Sequence, residues 1–322
     1  MPDPPQGRIA VVGGGSIGIG WAIVFARAGW TVHLVEPDAG RRAAVQGDLT
    51  ARLDRLAANG LLDGSPASVA ARVTLAGELA SALREAVLVQ ECAPESLELK
   101  RRLVHELEAA APAGAILATS SSALTISEIA GDLETRARCL VAHPGNPPYL
   151  LPVVELVPAP FTDPLVVARA RELFAAAGMT PIHVRREIEG FVFNRLQGAL
   201  LREAYCLVRD GVVSPGDVDR VVRDGLGRRW GVIGPFETAE LNTRGGIASH
   251  AATMGPAYAR MGAERGQHDP WTPELVEQVA ADVHRRLPPE RWEANVARRD
   301  EALSELERVR RGSSAFTPPG AE

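Results

Sequence analysis

The sequence predicts an α/β fold in which a doubly wound parallel sheet is followed by an all-helical domain. Two observations support this prediction. Short apolar runs alternate with helical patterns along residues 1–186, which is typical of a parallel sheet covered by helices on both faces. From residue 187 onward no strand pattern appears, and apolar residues recur at helical spacing. We therefore predict two domains, at residues 1–186 and 187–322.

The apolar runs divide the first domain into strands and helices in a regular order. The first strand, RIAVVG, leads into the helix SIGIGWAIVFARAG, which Gly29 closes. The strands that follow are TVHLVE, EAVLVQECAP, AILATS, CLVAH, VVELVP and PIHV. In the second domain, one helix is predicted with Ser214 as its N-cap, Pro215 at its first position and Asp217 completing a capping box.

Composition and charge argue against several classes of protein. The chain of 322 residues has a net charge of −5, which gives no electrostatic reason to expect nucleic acid or an acidic membrane as partner. No apolar run reaches the roughly eighteen residues of a membrane span, and the N-terminus lacks the features of a signal peptide. The spacing of Cys92, Cys139 and Cys206 fits neither disulfides nor zinc, so they are predicted to be small buried side chains. We expect a cytoplasmic globular protein with no metal site.

A glycine-rich turn between the first strand and the first helix predicts a dinucleotide site. Gly13, Gly15 and Gly18 satisfy the pattern G-x-G-x-x-G in VVGGGSIGIGWA. The first glycine permits a tight turn, the second lets the backbone approach a pyrophosphate, and the third lets helix and strand pack closely. Ser16 and Ile17 begin the helix, whose N–H groups favour an anion, so both are predicted cofactor contacts. A flexible loop is the alternative for a lone glycine pattern.

Glu36 ends the second strand and bears on the identity of the cofactor. Its carboxylate can accept hydrogen bonds from both ribose hydroxyls and repels a 2′-phosphate, which favours NAD over NADP. An exposed turn carboxylate before Pro37 is the alternative. Arg41 and Arg42 leave the strictness of this preference open.

Five segments follow one another over about residues 7–245: VVGGGSIGIGWAIVFARAG, QECAPESLELKRRLVHEL, HPGNPPYLLPVVELVP, GFVFNRLQGALLREAYCLV and DGLGRRWGVIGPFETAELN. Together they resemble the 3-hydroxyacyl-CoA dehydrogenase superfamily, and within it the lambda-crystallin and L-gulonate 3-dehydrogenase branch. The resemblance implies an NAD-dependent dehydrogenase with a Rossmann domain, a helical dimerisation domain and therefore a homodimer. It also implies four catalytic positions, Ser122, His143, Glu155 and Asn194, and three cofactor contacts, Glu95, Lys100 and Asn146.

The chemistry of His143 and Glu155 supports those positions independently. Oxidation of a secondary alcohol needs a base for the hydroxyl proton, and neutral imidazole suits that role near neutral pH. His143 ends the strand CLVAH, where open sheets present residues to ligands, and the proline-rich connection could return Glu155 to its side. A carboxylate there would fix the tautomer and favour the imidazolium. The alternatives are a structural histidine and an edge-strand carboxylate that faces water.

The other candidates also have structural alternatives. Ser122 follows the strand AILATS, so its hydroxyl can reach the substrate oxygen or the nicotinamide, but it could instead cap a helix. Asn194 lies in the first turns of a helix and can bind the developing carbonyl, or it is a satisfied polar residue at a domain interface. Lys100 is the only lysine in the chain and could be either a cofactor contact or a solvated helix lysine.

The choice of substrate depends partly on what the chain lacks. Acyl-CoA members of the family carry a lysine-rich helical excursion after the second strand, whereas the equivalent region here is short and lacks lysine. The segment GRRWGVIGPFE matches the lambda-crystallin branch, and its Arg229 could bind a free carboxylate or remain solvated at a helix C-terminus. L-gulonate or a related 3-hydroxy acid is therefore the first expectation, before L-carnitine and a short-chain 3-hydroxyacyl-CoA. The alternative from another class is a non-catalytic, NAD-binding structural protein of the crystallin kind.

Overall fold

The structure, a computed structural model, describes residues 7–244, 246–265, 272–286 and 288–312. The chain divides into two compact units, of which the first comprises Met1–Arg195 with Arg298–Ser313 and the second comprises Leu196–Ala297 with Ser314–Glu322. The last helix thus contributes to the first unit. Its Leu303 packs on the first unit's apolar core.

An eight-stranded sheet with the order β3-β2-β1-β4-β5-β6-β7-β8 lies in the first unit. The chain proceeds from β1 through β2 to β3 and then returns to β4 on the other side of β1, so the sheet is doubly wound, as predicted. The strands are β1 Arg8–Val12, β2 Thr31–Val35, β3 Val73–Ala76, β4 Ala86–Glu91, β5 Ile116–Thr119, β6 Cys139–Pro144, β7 Val153–Pro158 and β8 Thr180–His183.

Helices cover both faces of this sheet. Alternate residues of β1 point to opposite faces, since Ile9 and Val11 belong to one apolar core while Ala10 and Val12 belong to the other. Residues of α1, α2 and α7 complete the first core, and residues of α4, α5 and α6 complete the second. The helices are α1 Ser16–Arg27, α2 Ala39–Ala58, α3 Pro66–Ala70, α4 Leu79–Leu83, α5 Leu97–Ala110, α6 Ile126–Ala130 and α7 Pro164–Ala176.

The last two strands correct the prediction of a wholly parallel sheet. Strand β7 pairs antiparallel with β6, and β8 pairs parallel with β7. A parallel neighbour needs a crossover of about a dozen residues or more, but only residues 145–152 connect β6 to β7. The chain therefore turns straight back, and this return places His143 directly opposite Glu155 in the register.

The described part of the second unit is helical, as predicted. Its helix α9 is capped by Ser214, whose hydroxyl accepts the Asp217 N–H, and Pro215 occupies the first helical position. The Asp217 carboxylate accepts the Ser214 hydroxyl rather than its backbone N–H, so the predicted capping box is only half formed. The remaining helices, of which α8 and α14 cross the unit boundaries, are α8 Phe193–Arg209, α9 Pro215–Val221, α10 Gly227–Trp230, α11 Pro235–Asn242, α12 Gly246–Ala263, α13 Pro273–Arg286 and α14 Trp292–Arg311.

Candidate active site

A cleft of about 810 Å³ opens where β1, β2 and β4 end, and the glycine-rich turn lines it. Gly13 has a φ of +113°, and a Cβ added there would lie 2.8 Å from the Cys92 carbonyl oxygen. At Gly18 an added Cβ would lie 1.8 Å from the Gly13 carbonyl oxygen, so only glycine fits. A Cβ at Gly15 would meet only Arg41, at 3.7 Å, so the space beside this backbone is open. The turn therefore has the shape that a bound dinucleotide requires.

Helix α1 starts directly after this turn. Gly15 is its N-cap residue, in an extended conformation, and Ser16 is its first residue. The first N–H groups of a helix have no acceptor within the helix, so those of Ser16 and Ile17 can bind an anion such as a pyrophosphate.

Glu36 follows β2 and lines the same cleft. It is only 7% exposed, so the alternative of an exposed turn carboxylate is wrong. Its Oε2 atom accepts the Gly14 N–H at 2.9 Å and lies 3.6 Å from Nε of Arg41. Arg42 donates to the carbonyl oxygens of Glu36 and Pro37. The carboxylate thus lies beside the dinucleotide turn, where it can bind ribose hydroxyls.

Replacing Glu36 with alanine is expected to weaken NAD binding and to narrow the preference over NADP by on the order of 1–3 kcal/mol, because a charged hydrogen bond and a repulsive charge are lost. Glu36→Gln separates the two effects, since it retains an acceptor for the Gly14 N–H but removes the charge. Dissociation constants for both cofactors provide the measurement. An unchanged preference in both variants would exclude this role.

His143 and Glu155 form a buried pair beyond this cleft, at the end of β6. Nδ1 of His143 lies 2.8 Å from Oε2 of Glu155, and the two residues are 7% and 2% exposed. The other carboxylate oxygen, Oε1, accepts the backbone N–H groups of Val192 and Phe193 at 2.7 and 2.9 Å, where α8 begins. Burial alone would raise the pKa of the Glu155 carboxyl, but the hydrogen bonds from His143, Phe193 and Val192 outweigh it and lower that pKa. The alternative of an edge carboxylate facing water is therefore wrong.

The contact leaves the second ring nitrogen of His143 available. If Nδ1 donates to the ionised carboxylate, Nε2 is an acceptor, and no described protein atom makes a hydrogen bond to it. The imidazole packs beside Phe191 and Phe193, with ring centroids 5.7 and 6.3 Å away. Phe191 is fully buried with a φ of +49°, a backbone conformation that costs on the order of 1–3 kcal/mol. The surrounding fold therefore maintains a strained residue against the ring.

Asn194 directly follows Phe193 in α8 and contacts the segment after β5. Its Nδ2 atom donates to the carbonyl oxygen of Ser122 at 2.9 Å. Ser122 does not cap α6, because Thr125 holds that position in a capping box with Glu128. Among the described residues, no hydrogen bond involves the Ser122 hydroxyl or the Asn194 Oδ1 atom. The structure thus connects the four predicted catalytic residues through Glu155 and the start of α8, and it leaves polar atoms free for a ligand.

The three residues predicted from the family to contact the cofactor differ in their surroundings. Asn146 is exposed in the connection between β6 and β7. Glu95 is exposed, and its Oε1 atom accepts the Ser121 hydroxyl at 2.6 Å. Lys100 is 1% exposed and contacts Glu91 and Glu95, so the alternative of a solvated lysine is wrong. Contact of these three residues with the cofactor remains a prediction.

The remaining predicted residues lie outside this cluster. Arg229 is exposed in the last turn of α10, in the second unit, and its contact with substrate remains a prediction. Cys139 and Cys206 are buried as predicted, whereas Cys92 is half-buried and lines the cleft. The described residues contain no group of side chains that could hold a metal ion. None of the described helices is long and apolar enough to cross a membrane.

Sequence reasoning missed two residues that shape the site. Glu91 ends the buried strand β4. The signal for it was an acidic residue at the end of an apolar run, nine positions before the only lysine of the chain. Phe191 carries no such signal, because a phenylalanine with positive φ follows from tertiary packing rather than from local preference.

Comparison with known proteins places the chain among dehydrogenases and lambda-crystallins. The models of the 3-hydroxyacyl-CoA dehydrogenase NAD binding domain and C-terminal domain match residues 8–188 and 190–283. Lambda-crystallin of Oryctolagus cuniculus is 36% identical over 97% of this chain and 98% of its own length. L-carnitine dehydrogenase of Pseudomonas putida is 35% identical over 94% and 93%. The solved structure of 5-formyl-3-hydroxy-2-methylpyridine 4-carboxylic acid 5-dehydrogenase, an NAD+-dependent dismutase, has a TM-score of 0.82 at 26% identity and covers 95% of this chain and 99% of that chain.

Proposed function

The chain belongs to the 3-hydroxyacyl-CoA dehydrogenase family of NAD-dependent oxidoreductases, and we propose that it oxidises the 3-hydroxyl of a small, free 3-hydroxy acid. The observation that carries the proposal is the buried contact of 2.8 Å between His143 and Glu155. It orients an imidazole with one free nitrogen at the carboxyl end of β6, where sheets of this kind bind ligands.

In the proposed reaction, Nε2 of His143 takes the proton of the substrate hydroxyl. Glu155 fixes the tautomer through Nδ1 and stabilises the imidazolium that forms. The second N–H of the Asn194 amide donates to the developing carbonyl oxygen, and the Ser122 hydroxyl orients the same oxygen. NAD, when bound by the glycine-rich turn and Glu36, supplies the two-electron acceptor.

A free carboxylate suits this chain better than a thioester. The region after β2 lacks the lysine-rich helical excursion that acyl-CoA members of the family carry, and Arg229 offers a guanidinium for a carboxylate. L-carnitine, the substrate in the name of the Pseudomonas putida relative, is itself a 3-hydroxy acid. L-gulonate or a related acid remains the first candidate substrate. L-carnitine and a short-chain 3-hydroxyacyl-CoA are the alternatives.

Formation of NADH tests these substrates. We expect turnover when L-gulonate, L-carnitine, 3-hydroxybutyrate and 3-hydroxybutyryl-CoA are assayed side by side, with the highest rate on a free acid. The similarity to a lambda-crystallin favours one other candidate, a non-catalytic NAD-binding structural protein. Turnover of any of the four compounds excludes that candidate, and failure of all four would support it.

We also propose that the protein acts in the cytoplasm as a homodimer joined through its helical unit. Several large apolar side chains of α8 and α11 are exposed in the single chain, among them Leu196, Phe236 and Leu241. Light scattering at micromolar concentration provides the test, since a monomer would contradict the dimer.

Replacing Arg229 with methionine is expected to raise KM for the hydroxy acid about ten-fold, the 1.4 kcal/mol scale of one lost charged hydrogen bond. A neutral ester of the same acid should be hardly affected, because it offers no charge to the guanidinium. Arg228→Met, which removes the adjacent exposed arginine, is the matched control. Equal losses on acid and ester would show that Arg229 supports the fold instead.

A further inference from the structure

The only lysine of the chain has an ammonium group that is fully engaged within the protein. Nζ of Lys100 lies 3.0 and 2.9 Å from the two carboxylate oxygens of Glu91 and 3.1 Å from the Ala93 carbonyl oxygen. An ammonium has three N–H donors, so these three acceptors use all of them. Glu95 lies beside the same ammonium, with its Oε2 atom at 3.5 Å. Lys100 therefore lies between two carboxylates and has no donor left for a cofactor.

The second of these carboxylates holds the turn that follows β5. Oε1 of Glu95 accepts the Ser121 hydroxyl at 2.6 Å and the backbone N–H groups of Ser122 and Ala123 at 2.9 and 3.1 Å. Burial alone would raise the pKa of Glu95, but the Ser121 hydrogen bond, the Lys100 charge and the two N–H groups lower it. The carboxylate stays charged, and the three hydrogen bonds that it accepts hold the turn in place.

The first carboxylate, that of Glu91, is buried at the end of β4. It also accepts the Ala93 N–H and the Thr119 hydroxyl, so it is tied to both β4 and β5. Lys100 joins this rigid anchor to Glu95, which is the more exposed of the two carboxylates, with 38% of its side chain accessible. Without the cation, two carboxylates would face each other and Glu95 would lose its link to the sheet.

We propose that Lys100 is a positioning residue which fixes the turn carrying Ser122. It acts through Glu95, which holds the turn. The turn then presents the Ser122 carbonyl oxygen to the Asn194 amide. The importance of this arrangement for turnover rests on the proposed function, in which Ser122 and Asn194 bind the substrate oxygen. This role differs from the predicted contact between Lys100 and the cofactor.

Hydrogen exchange of the free protein tests the proposal without substrate or cofactor. In Lys100→Met, the Ser122 and Ala123 amides are expected to exchange about ten-fold faster, while exchange in Gly13–Gly18 stays unchanged. Arg102→Met is the matched control, because it removes an exposed cation two residues further along α5 that pairs only with Glu98 in the described residues. It should leave exchange in both segments unchanged.

Removing Lys100 also leaves the buried Glu91 carboxylate without its cation, which can prevent folding. A second variant is therefore needed at the more exposed Glu95. Glu95→Ala removes the acceptor of the same two N–H groups and should produce the same local increase in exchange. Unchanged exchange of Ser122 and Ala123 in folded Lys100→Met, or in Glu95→Ala if Lys100→Met does not fold, would overturn the proposal.

Kinetics separates positioning from cofactor binding. Lys100→Met should lower kcat about ten-fold on the substrate found and leave the dissociation constant of NAD within about two-fold of wild type. A ten-fold weaker NAD complex with normal exchange of the turn would assign Lys100 to the cofactor instead. If no compound is oxidised, the proposed function fails, whereas the exchange result still decides whether Lys100 holds the turn.

Discussion

Replacing His143 with alanine is expected to lower turnover by about 100- to 10,000-fold, because the group that takes the hydroxyl proton is lost. NAD binding should be nearly unchanged, since the cleft with the glycine-rich turn and Glu36 does not include His143. Initial rates of NADH formation and the dissociation constant of NAD provide the two measurements. The pairing of a large kinetic loss with normal cofactor affinity distinguishes a proton acceptor from a residue of the binding site.

A matched control exists elsewhere in the same unit. His105 is an exposed histidine of α5 that lies 3.3 Å from Asp132, and His105→Ala should retain normal turnover. If His143→Ala keeps most of the activity, the base is another group, and the role assigned to the contact with Glu155 would be wrong.

Replacing Glu155 with glutamine is expected to cost a similar factor, roughly 100 to 10,000 in kcat, although only one atom changes its chemistry. The glutamine carbonyl can still accept the Val192 and Phe193 N–H groups, which Glu155 binds at 2.7 and 2.9 Å. Its NH₂ group would then face Nδ1 of His143 and force that nitrogen to accept. Nε2 would carry the proton and could no longer take one from the substrate.

Glu155→Ala separates the effect on the His143 tautomer from the loss of the hydrogen bonds that Glu155 accepts at the start of α8. It leaves two N–H groups at the start of α8 without an acceptor, and unfolding free energy should fall by on the order of 1–3 kcal/mol for such a buried loss. Glu155→Gln should unfold near the wild-type temperature. If Glu155→Gln is as active as wild type, then Glu155 only anchors α8 and does not orient the imidazole.

Local patterns in the sequence predicted the dinucleotide turn well. The requirement for glycine at Gly13 and Gly18 comes from backbone geometry and close packing, which the G-x-G-x-x-G spacing encodes directly. The contact between His143 and Glu155 was also predictable, because the short proline-rich connection brings the chain back close to the end of β6. The family and the fold class followed from the same segments, and the comparisons confirm both.

Other features were not predicted. The reversal of direction at β7 was missed although the short connection requires it, because the apolar pattern of VVELVP alone gives no strand direction. Strand β3 is short, with only Val73 buried, so its pattern resembles a loop. The burial of Lys100 results from two carboxylates that approach it from β4 and the segment after it, and a helix lysine in isolation looks solvated.

The preference for a free acid is tested most directly by comparing 3-hydroxybutyrate with 3-hydroxybutyryl-CoA, which share the reacting carbon and differ only in the group on the carbonyl. The measurement is the ratio of kcat/KM for the two compounds, obtained from NADH absorbance with the same enzyme preparation. We expect a ratio above one, because Arg229 offers a partner for a free carboxylate and no lysine-rich segment is present for CoA. A ratio well below one would contradict the proposed free-acid substrate and identify the protein as a 3-hydroxyacyl-CoA dehydrogenase.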